Sequence, residues 1–504
     1  MTEVQETVSA MRHAAHPLII QGGMGVGVSG WKLARAVART GQLGVVSGVA
    51  LDLLLARRLQ LGDPDGDVRR ALAAYPRRKA AERILDRYFV PGGIPKGRPF
   101  RPIPRLGVRP NPWRDELLAA GNFVEVWLAR QGHDGPIGVN YLEKIQLATP
   151  ASAYGAMLAG VDYVLMGAGI PSEIPALLDA LAAGRPANLS ITVAGADTPH
   201  VITFDPATLA TPPGTPPPRR PRFLAIVSAA ILAVHLSRSP ATRPDGFVLE
   251  SPVAGGHSAP PRGRMRLDDT GEPVYGPRDR IDLDKVAALG LPFWLAGGHS
   301  TPKALAEALA AGASGIQVGT AFALSRDSGL DPRARARLLK DAADGTLQVR
   351  NDPSASPTGF PFKVARQPGT LSEQDVYERR PRLCDLGYLR TPYRKPDGEI
   401  GYRCPAEPVD TFLRKGGTVE EATGRQCLCN ALTATIGLGQ TRADGYVEPP
   451  LLTLGQDLGF LPHLPSADYG AADVVEYLLS GGTADASAAP DDAEQRPSSA
   501  LSPT

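Results

Sequence analysis

Eight short apolar runs recur along the first two thirds of the chain, and most end in glycine or a small polar residue. They occupy residues 17–21 (PLIIQ), 43–47 (LGVVS), 136–140 (PIGVN), 162–166 (DYVLM), 223–228 (FLAIVS), 246–250 (GFVLE), 292–296 (PFWLA) and 315–319 (GIQVG). A strand that is apolar on both faces must be covered on both faces, which is the pattern of parallel strands sheathed by helices. Helical segments at 30–40, 151–159, 172–183 and 302–311 separate several of the runs. Eight strands alternating with helices predict an α/β chain closed into a (β/α)8 TIM barrel rather than an open sheet.

At 504 residues the chain is longer than such a barrel needs, so appendages are expected. The reading places the barrel at 15–330, a helical insertion at about 54–123, a loop-rich C-terminal region at 331–475 and a disordered tail at 481–504. The insertion is rich in arginine (ARRLQ, VRRAL, YPRRKAAERILDRYF) and ends in a proline-rich loop. Those arginines could form an anion-binding patch, but a solvated helix face on an inserted cap is the preferred reading. Residues 188–222 predict a short extra hairpin and then an extended, exposed linker, TPPGTPPPRRPR.

With 43% hydrophobic and 21% charged residues the chain is ordinary globular material. A net charge of +2 gives no reason to expect nucleic acid or an anionic membrane as partner. Residues 1–16 lack the apolar core of a secretory signal. The longest apolar run, 223–236, is too short to span a bilayer. All four cysteines, Cys384, Cys404, Cys427 and Cys429, fall in one late window. No disulfide framework supports the main domain, and a reducing cytoplasm is the expectation. Four thiolates could hold a structural zinc. Cys427-x-Cys429 is tighter than the usual two-residue gap and no second close pair exists, so ordinary reduced cysteines and no metal are expected.

In a barrel of this kind the reactive groups gather on the loops that follow the strands. After the first run comes Gly22-Gly23-Met24-Gly25, with little side-chain bulk, where a flat ring could lie against backbone. The third run ends in Asn140, whose amide offers both donor and acceptor, with Tyr141 and Lys144 close behind. Ser228, the small polar residue closing the fifth run, joins the candidate cofactor contacts. After the sixth, Gly255-Gly256 leads to His257, an imidazole that titrates near neutral pH and can be presented to a cavity.

After the seventh run, Gly297-Gly298 precedes Thr301 and Pro302, read as the N-cap and first residue of a helix. Free amides at such a start bind phosphate. Gln317 and Gly319, at the end of the eighth run, and Thr320 after it supply a second set of amides and a hydroxyl. Paired sites after strands seven and eight form the recurring phosphate pocket of these barrels. Alone they indicate a phosphate-bearing ligand without saying which.

Together these segments resemble the nitronate monooxygenases (2-nitropropane dioxygenases) and their relatives, the FMN-dependent enoyl-acyl carrier protein reductases. The resemblance covers roughly residues 15–325, on PLIIQGGMG, GVN at 138–140, FVLESPVAGGH at 247–257, PFWLAGG at 292–298 and GIQVGT at 315–320. It implies FMN as cofactor, contacted by Gly22, Gly23, Met24, Asn140, Gly255 and Gly256, with its phosphate at Gly297, Gly298, Gly319 and Thr320. His257 would match the family's active-site histidine. The substrate implied is a nitronate or nitroalkane, oxidised with O2 to a carbonyl product. The first loop lacks the proline that many members carry before the methionine, and Ser258 replaces a bulkier residue. Those departures bear on substrate more than on cofactor.

Other readings remain open at this point. An enoyl reductase-like subunit of a polyketide or fatty acid system would use the same pocket and bring biosynthetic enzyme partners, although no separate dinucleotide fingerprint is present. A flavin-free phosphate-sugar isomerase or lyase is a different class on the same barrel. A non-catalytic flavin-bound scaffold is the third.

Overall fold

The computed structural model describes residues 16–209, 217–464 and 468–481. Its central sheet holds β1 (Ile19–Gln21), β2 (Gly44–Ser47), β3 (Ile137–Leu142) and β4 (Tyr163–Gly167). A side hairpin of β5 (Ala187–Ile191) and β6 (His200–Phe204) comes next. The sheet resumes with β7 (Arg222–Val227), β8 (Gly246–Glu250), β9 (Phe293–Ala296) and β10 (Gly315–Val318). The eight sheet strands are parallel and run in the order β1-β10-β9-β8-β7-β4-β3-β2. β2 returns to β1 through Ile20 and Leu43. The Leu43 amide donates to Ile19 O at 3.1 Å and the Gln21 amide to Leu43 O at 3.0 Å, which closes the ring. Each of the eight predicted runs is one of these strands, displaced by no more than two residues at either end.

The ring is filled by inward side chains of alternate strand positions, among them Ile20, Val45, Tyr163, Leu165, Leu224, Val248 and Trp294. Trp294 is fully buried, and its indole N–H donates to Pro17 O at 2.8 Å, so its one polar atom is satisfied. Strand residues pointing outward meet the helices, Trp31–Ala38, Thr149–Leu158, Ile174–Ala182 and Pro302–Ala310 among them. Thr301 caps the last of these, its hydroxyl accepting from the Ala304 amide at 3.2 Å with Pro302 at the first helical position.

The segment between β2 and β3 forms four helices, Leu51–Gln60, Asp67–Ala74, Arg78–Tyr88 and Pro112–Ala129. The last lies so close to Thr149–Leu158 that a Cβ on Gly155 would sit 2.1 Å from Ala119 O. Arg69, Arg70, Arg83 and Arg87 lie on exposed surface, as a solvated face requires. Arg57 departs from that expectation: it is buried and donates to Leu438 O, far along the chain. Arg58 likewise pairs with the buried Glu125, whose other oxygen accepts from the Trp31 amide at 3.0 Å.

Beyond residue 330 the chain is poor in regular structure, with two four-residue ladders, β11 (Val349–Asp352) with β12 (Phe362–Ala365) and β13 (Thr391–Arg394) with β14 (Ile400–Arg403). It is nevertheless packed against the barrel. Tyr388 donates to the buried Asp52 at 2.6 Å, and Phe362 forms a bridge with His257. Arg380 and Glu448 make a buried ion pair at 2.9 Å, joined by Arg442. The proline-rich linker falls partly, and the expected disordered tail almost wholly, outside the described residues. Among the described residues no helix is long and apolar enough to cross a membrane.

Candidate active site

The loops after the strands open into one cavity of about 250 Å³. Gly22, Gly23, Met24, Asn140, Gly255, Gly256, His257, Gly297, Gly298, Gln317, Gly319 and Thr320 all line it. Ser228 does not. It borders a small neighbouring cavity with Ser251 and Tyr275, and its carbonyl accepts from Arg262 at 3.1 Å. The fifth run continues one residue past the end of β7, and that extra residue is placed outside the main cavity.

The first loop is shaped by buried polar groups. Gln21 accepts from the Val45 amide at 2.9 Å and donates to Ser29 Oγ at 2.8 Å. Ser29 in turn donates to Gly22 O at 2.8 Å and accepts from the Met24 amide at 2.9 Å. Gly23 faces Asn140 so closely that a Cβ would lie 2.3 Å from the asparagine's own Cβ. Asn140 donates to Gly23 O at 3.2 Å, while its amide oxygen is buried without a partner. The side-chain oxygen of Gln317 is in the same condition. Two unsatisfied buried acceptors in one cavity call for donors from a bound molecule, since leaving each unpaired costs about 1–3 kcal/mol.

At the other end, Gly297 and Gly298 both have positive φ, 81° and 79°, so the chain turns back on itself with its backbone toward the cavity. A Cβ on Gly297 would sit 2.5 Å from Ser251 Oγ. The C-terminal segment around Leu454 also reaches this end. A Cβ on Gly255 would meet the Gly455 amide at 2.9 Å, so this glycine admits a neighbouring chain. The Thr320 hydroxyl already accepts from that same amide at 2.7 Å. Asp457 also reaches this end, with its two oxygens accepting from Ser300 at 2.6 Å and the Gly459 amide at 3.1 Å.

His257 lies at the cavity wall with its ring edge-on to Phe362, centroids 4.8 Å apart. Its Nε2 is 2.7 Å from Ser356 Oγ, which also contacts Thr358 Oγ1 at 2.8 Å. Burial, and secondarily the charge of Lys144, push the imidazole down to about 4, so it is neutral at pH 7. Below it, burial raises Glu250 to about 7 and lowers Lys363 to about 8. The Lys363 ammonium donates to Pro252 O at 2.5 Å and Ser258 Oγ at 3.1 Å, and its amide donates to Gly256 O at 2.9 Å. The loop carrying His257 is therefore pinned on both sides by a residue of β12.

Residues 133–354 match the family model for nitronate monooxygenase. That stretch holds β3, β4, β7 to β10 and His257, and the family is one of oxidoreductases. Over 238 residues the chain is 29% identical to (3aS,4S,5R,7aS)-5-hydroxy-7a-methyl-1-oxo-octahydro-1H-indene-4-carboxyl-CoA dehydrogenase of Mycobacterium tuberculosis, covering 46% of this chain and 59% of the relative. Less than two thirds of that relative is thus spanned. Among solved structures, FabK from Thermotoga maritima is similar at 16% identity and TM-score 0.45, covering 94% of this chain and 95% of that one. Nitroalkane oxidase from Streptomyces ansochromogenes is similar at 17% identity and TM-score 0.45, covering 94% and 97%.

The strand-end loops between Gly22 and Thr320 account for the floor of the cavity. Part of its remaining wall comes from C-terminal residues that carry no motif, among them Phe362, Tyr388, Leu389, Leu428, Cys429 and Leu454. Glu250 was visible only as the end of a strand. Lys363 went unread in the sequence, where a lysine inside an otherwise apolar run, FKVA, is a signal that could have found it.

Proposed function

We propose that the protein is an FMN-dependent oxidoreductase of nitronate monooxygenase type, oxidising nitronates or nitroalkanes with O2 to carbonyl products. The observation that carries this reading is the pair of orphaned amide oxygens, Asn140 Oδ1 and Gln317 Oε1, in the same cavity as His257. They fit the N–H and hydroxyl donors of a flavin ring and ribityl chain. The glycine turns at Gly297–Gly298 and Gly319 leave backbone free to approach a phosphate. FMN supplies, when bound, the redox chemistry that links substrate to oxygen.

The rest falls to the chain. With Nε2 held by Ser356, the Nδ1 lone pair of neutral His257 is the free proton acceptor. A nitroalkane seated against it loses the proton from the carbon beside the nitro group, and the imidazolium so formed is held by Ser356. The apolar side chains Leu389, Leu428, Leu432 and Leu454 exclude water from that carbon. The same apolar wall favours a second reading, reduction of an enoyl chain in the same cavity.

Chromatography of the released cofactor and an oxygen-uptake assay with nitroalkanes and preformed nitronates test both. FMN with oxygen uptake on nitronates is expected. FAD, or no flavin, would overturn the assignment, and turnover of an enoyl thioester with NADH or NADPH alone would favour the second reading.

A further inference from the structure

Strand alternation sets Glu250 on the inner face of β8. Val248, two residues before it, belongs to the packed interior of the ring, while Phe247 and Leu249 belong to the outer core that the helices cover. Glu250 is the last residue of the strand, and it lies in the wall of the large cavity that holds His257. The charged group set against it is Lys363, whose ammonium is engaged by Pro252 O and Ser258 Oγ. Among the described residues no ion pair fixes the Glu250 carboxylate.

Glu250 also lines a second cavity, of about 20 Å³, and among the described residues it is the one that the two cavities share. Ser251, Tyr275, Arg262 and Asp279 give the smaller one polar walls, and it has room for about one water. Pro260 and Arg262 on its rim are exposed, so it borders the molecular surface. The large cavity is instead roofed by Leu389, Leu428 and Leu454, which offer a proton neither donor nor acceptor. A proton taken up by His257 has to leave before the next turnover, and the polar way out starts at Glu250.

We propose that Glu250 is the proton relay between the large cavity and solvent, by way of the small polar cavity. The proposal rests on the reading of His257 as the base. The ionised carboxylate takes the proton released by the imidazolium and becomes a carboxylic acid. The acid passes that proton through the small cavity to bulk water, and His257 returns to its neutral form. One proton enters, one leaves, and no electrons move. Burial, opposed by the charge of Lys363, holds the carboxyl at about 7, so both its forms are populated at neutral pH. The imidazolium gives up its proton at about 4, which makes the transfer to the carboxylate downhill.

Glu250→Gln keeps the shape of the side chain and cannot ionise. Mixed with excess nitroalkane, the flavin-loaded variant should form one equivalent of product at the wild-type rate. Its steady state should then be slower by about 10²-fold, the low end of what a proton-transferring group contributes. Glu250→Asp should restore part of that rate. Ala259→Leu fills the small cavity, leaves the carboxylate in place and should slow the steady state in the same way. In the resting protein, an infrared carboxylic acid band that titrates at about 7 should be missing from Glu250→Gln. An active wild type with an unchanged steady state in these two variants would overturn the relay alone, leaving the hydroxyls of Ser356 and Thr358 as the exit. A slowed first turnover would also overturn it, since Glu250 would then act on the substrate itself. If the wild type oxidises no nitroalkane, the reading of His257 falls and the relay with it. If Glu250→Gln does not fold, Ala259→Leu decides.

Discussion

Ser356 Oγ lies 2.7 Å from His257 Nε2, so a residue beyond the barrel orients the imidazole of a strand-end loop. If that contact fixes which nitrogen faces the cavity, Ser356→Ala should lower kcat on a neutral nitroalkane by about 3–10-fold, the worth of one hydrogen bond. KM should change little, the acid limb of the pH profile should move, and Ser356→Thr should restore it. An unmoved profile would reduce Ser356 to packing.

His257→Asn removes the proton acceptor and keeps a polar side chain. General-base loss typically costs about 10²–10⁴ in rate, and it should fall on the nitroalkane, whose proton must be taken. A preformed nitronate needs no such step and should be spared. Flavin content should stay normal. Steady-state rates on the two substrate forms make the comparison, and small equal losses would leave His257 as a pocket wall.

The pH dependence follows from the lowered basicity of the same ring. Burial and Lys144 hold it at about 4, so activity on nitroalkanes should persist well below the ordinary histidine value of about 6.5 and fall through about pH 4. Lys144→Met removes the second cause, and the midpoint should rise. In the unfolded chain the ring binds its proton near 6.5, before the folded one does. This group therefore costs stability as pH falls between those two values. Profiles of kcat/KM against pH check the first claim, and a midpoint at or above 6.5 would contradict it.

Gly298→Asp should abolish cofactor binding. The position has φ 79°, which side chains rarely adopt, and its Cβ would meet Val253 Cγ2 at 3.3 Å. The added carboxylate would also face the proposed phosphate. Flavin content of the purified variant is the measurement; a full complement would show that the phosphate sits elsewhere.

The barrel was readable because its strands are buried on both faces, so each appears as an unbroken apolar run such as GFVLE before a glycine or polar turn. Most of the cavity floor was readable for the same reason, since strand ends lead to it. Ser228 misled because a run of apolar letters does not show where a strand stops facing a cavity. Tyr388, Leu389 and Cys429 were invisible. Their approach depends on long-range contacts, Tyr388 to Asp52 and Arg57 to Leu438, which leave no local period in the sequence.

The cavity has two owners within one chain. Strand-end loops between Gly22 and Thr320 form the floor, while Phe362, Leu428 and Leu454 lie on its roof. Mutations drifting into the roof can change the shape of molecule admitted while the floor keeps its grip on whatever it holds. Substitutions after residue 350 should therefore change which molecules enter, and those at the strand ends whether they are held.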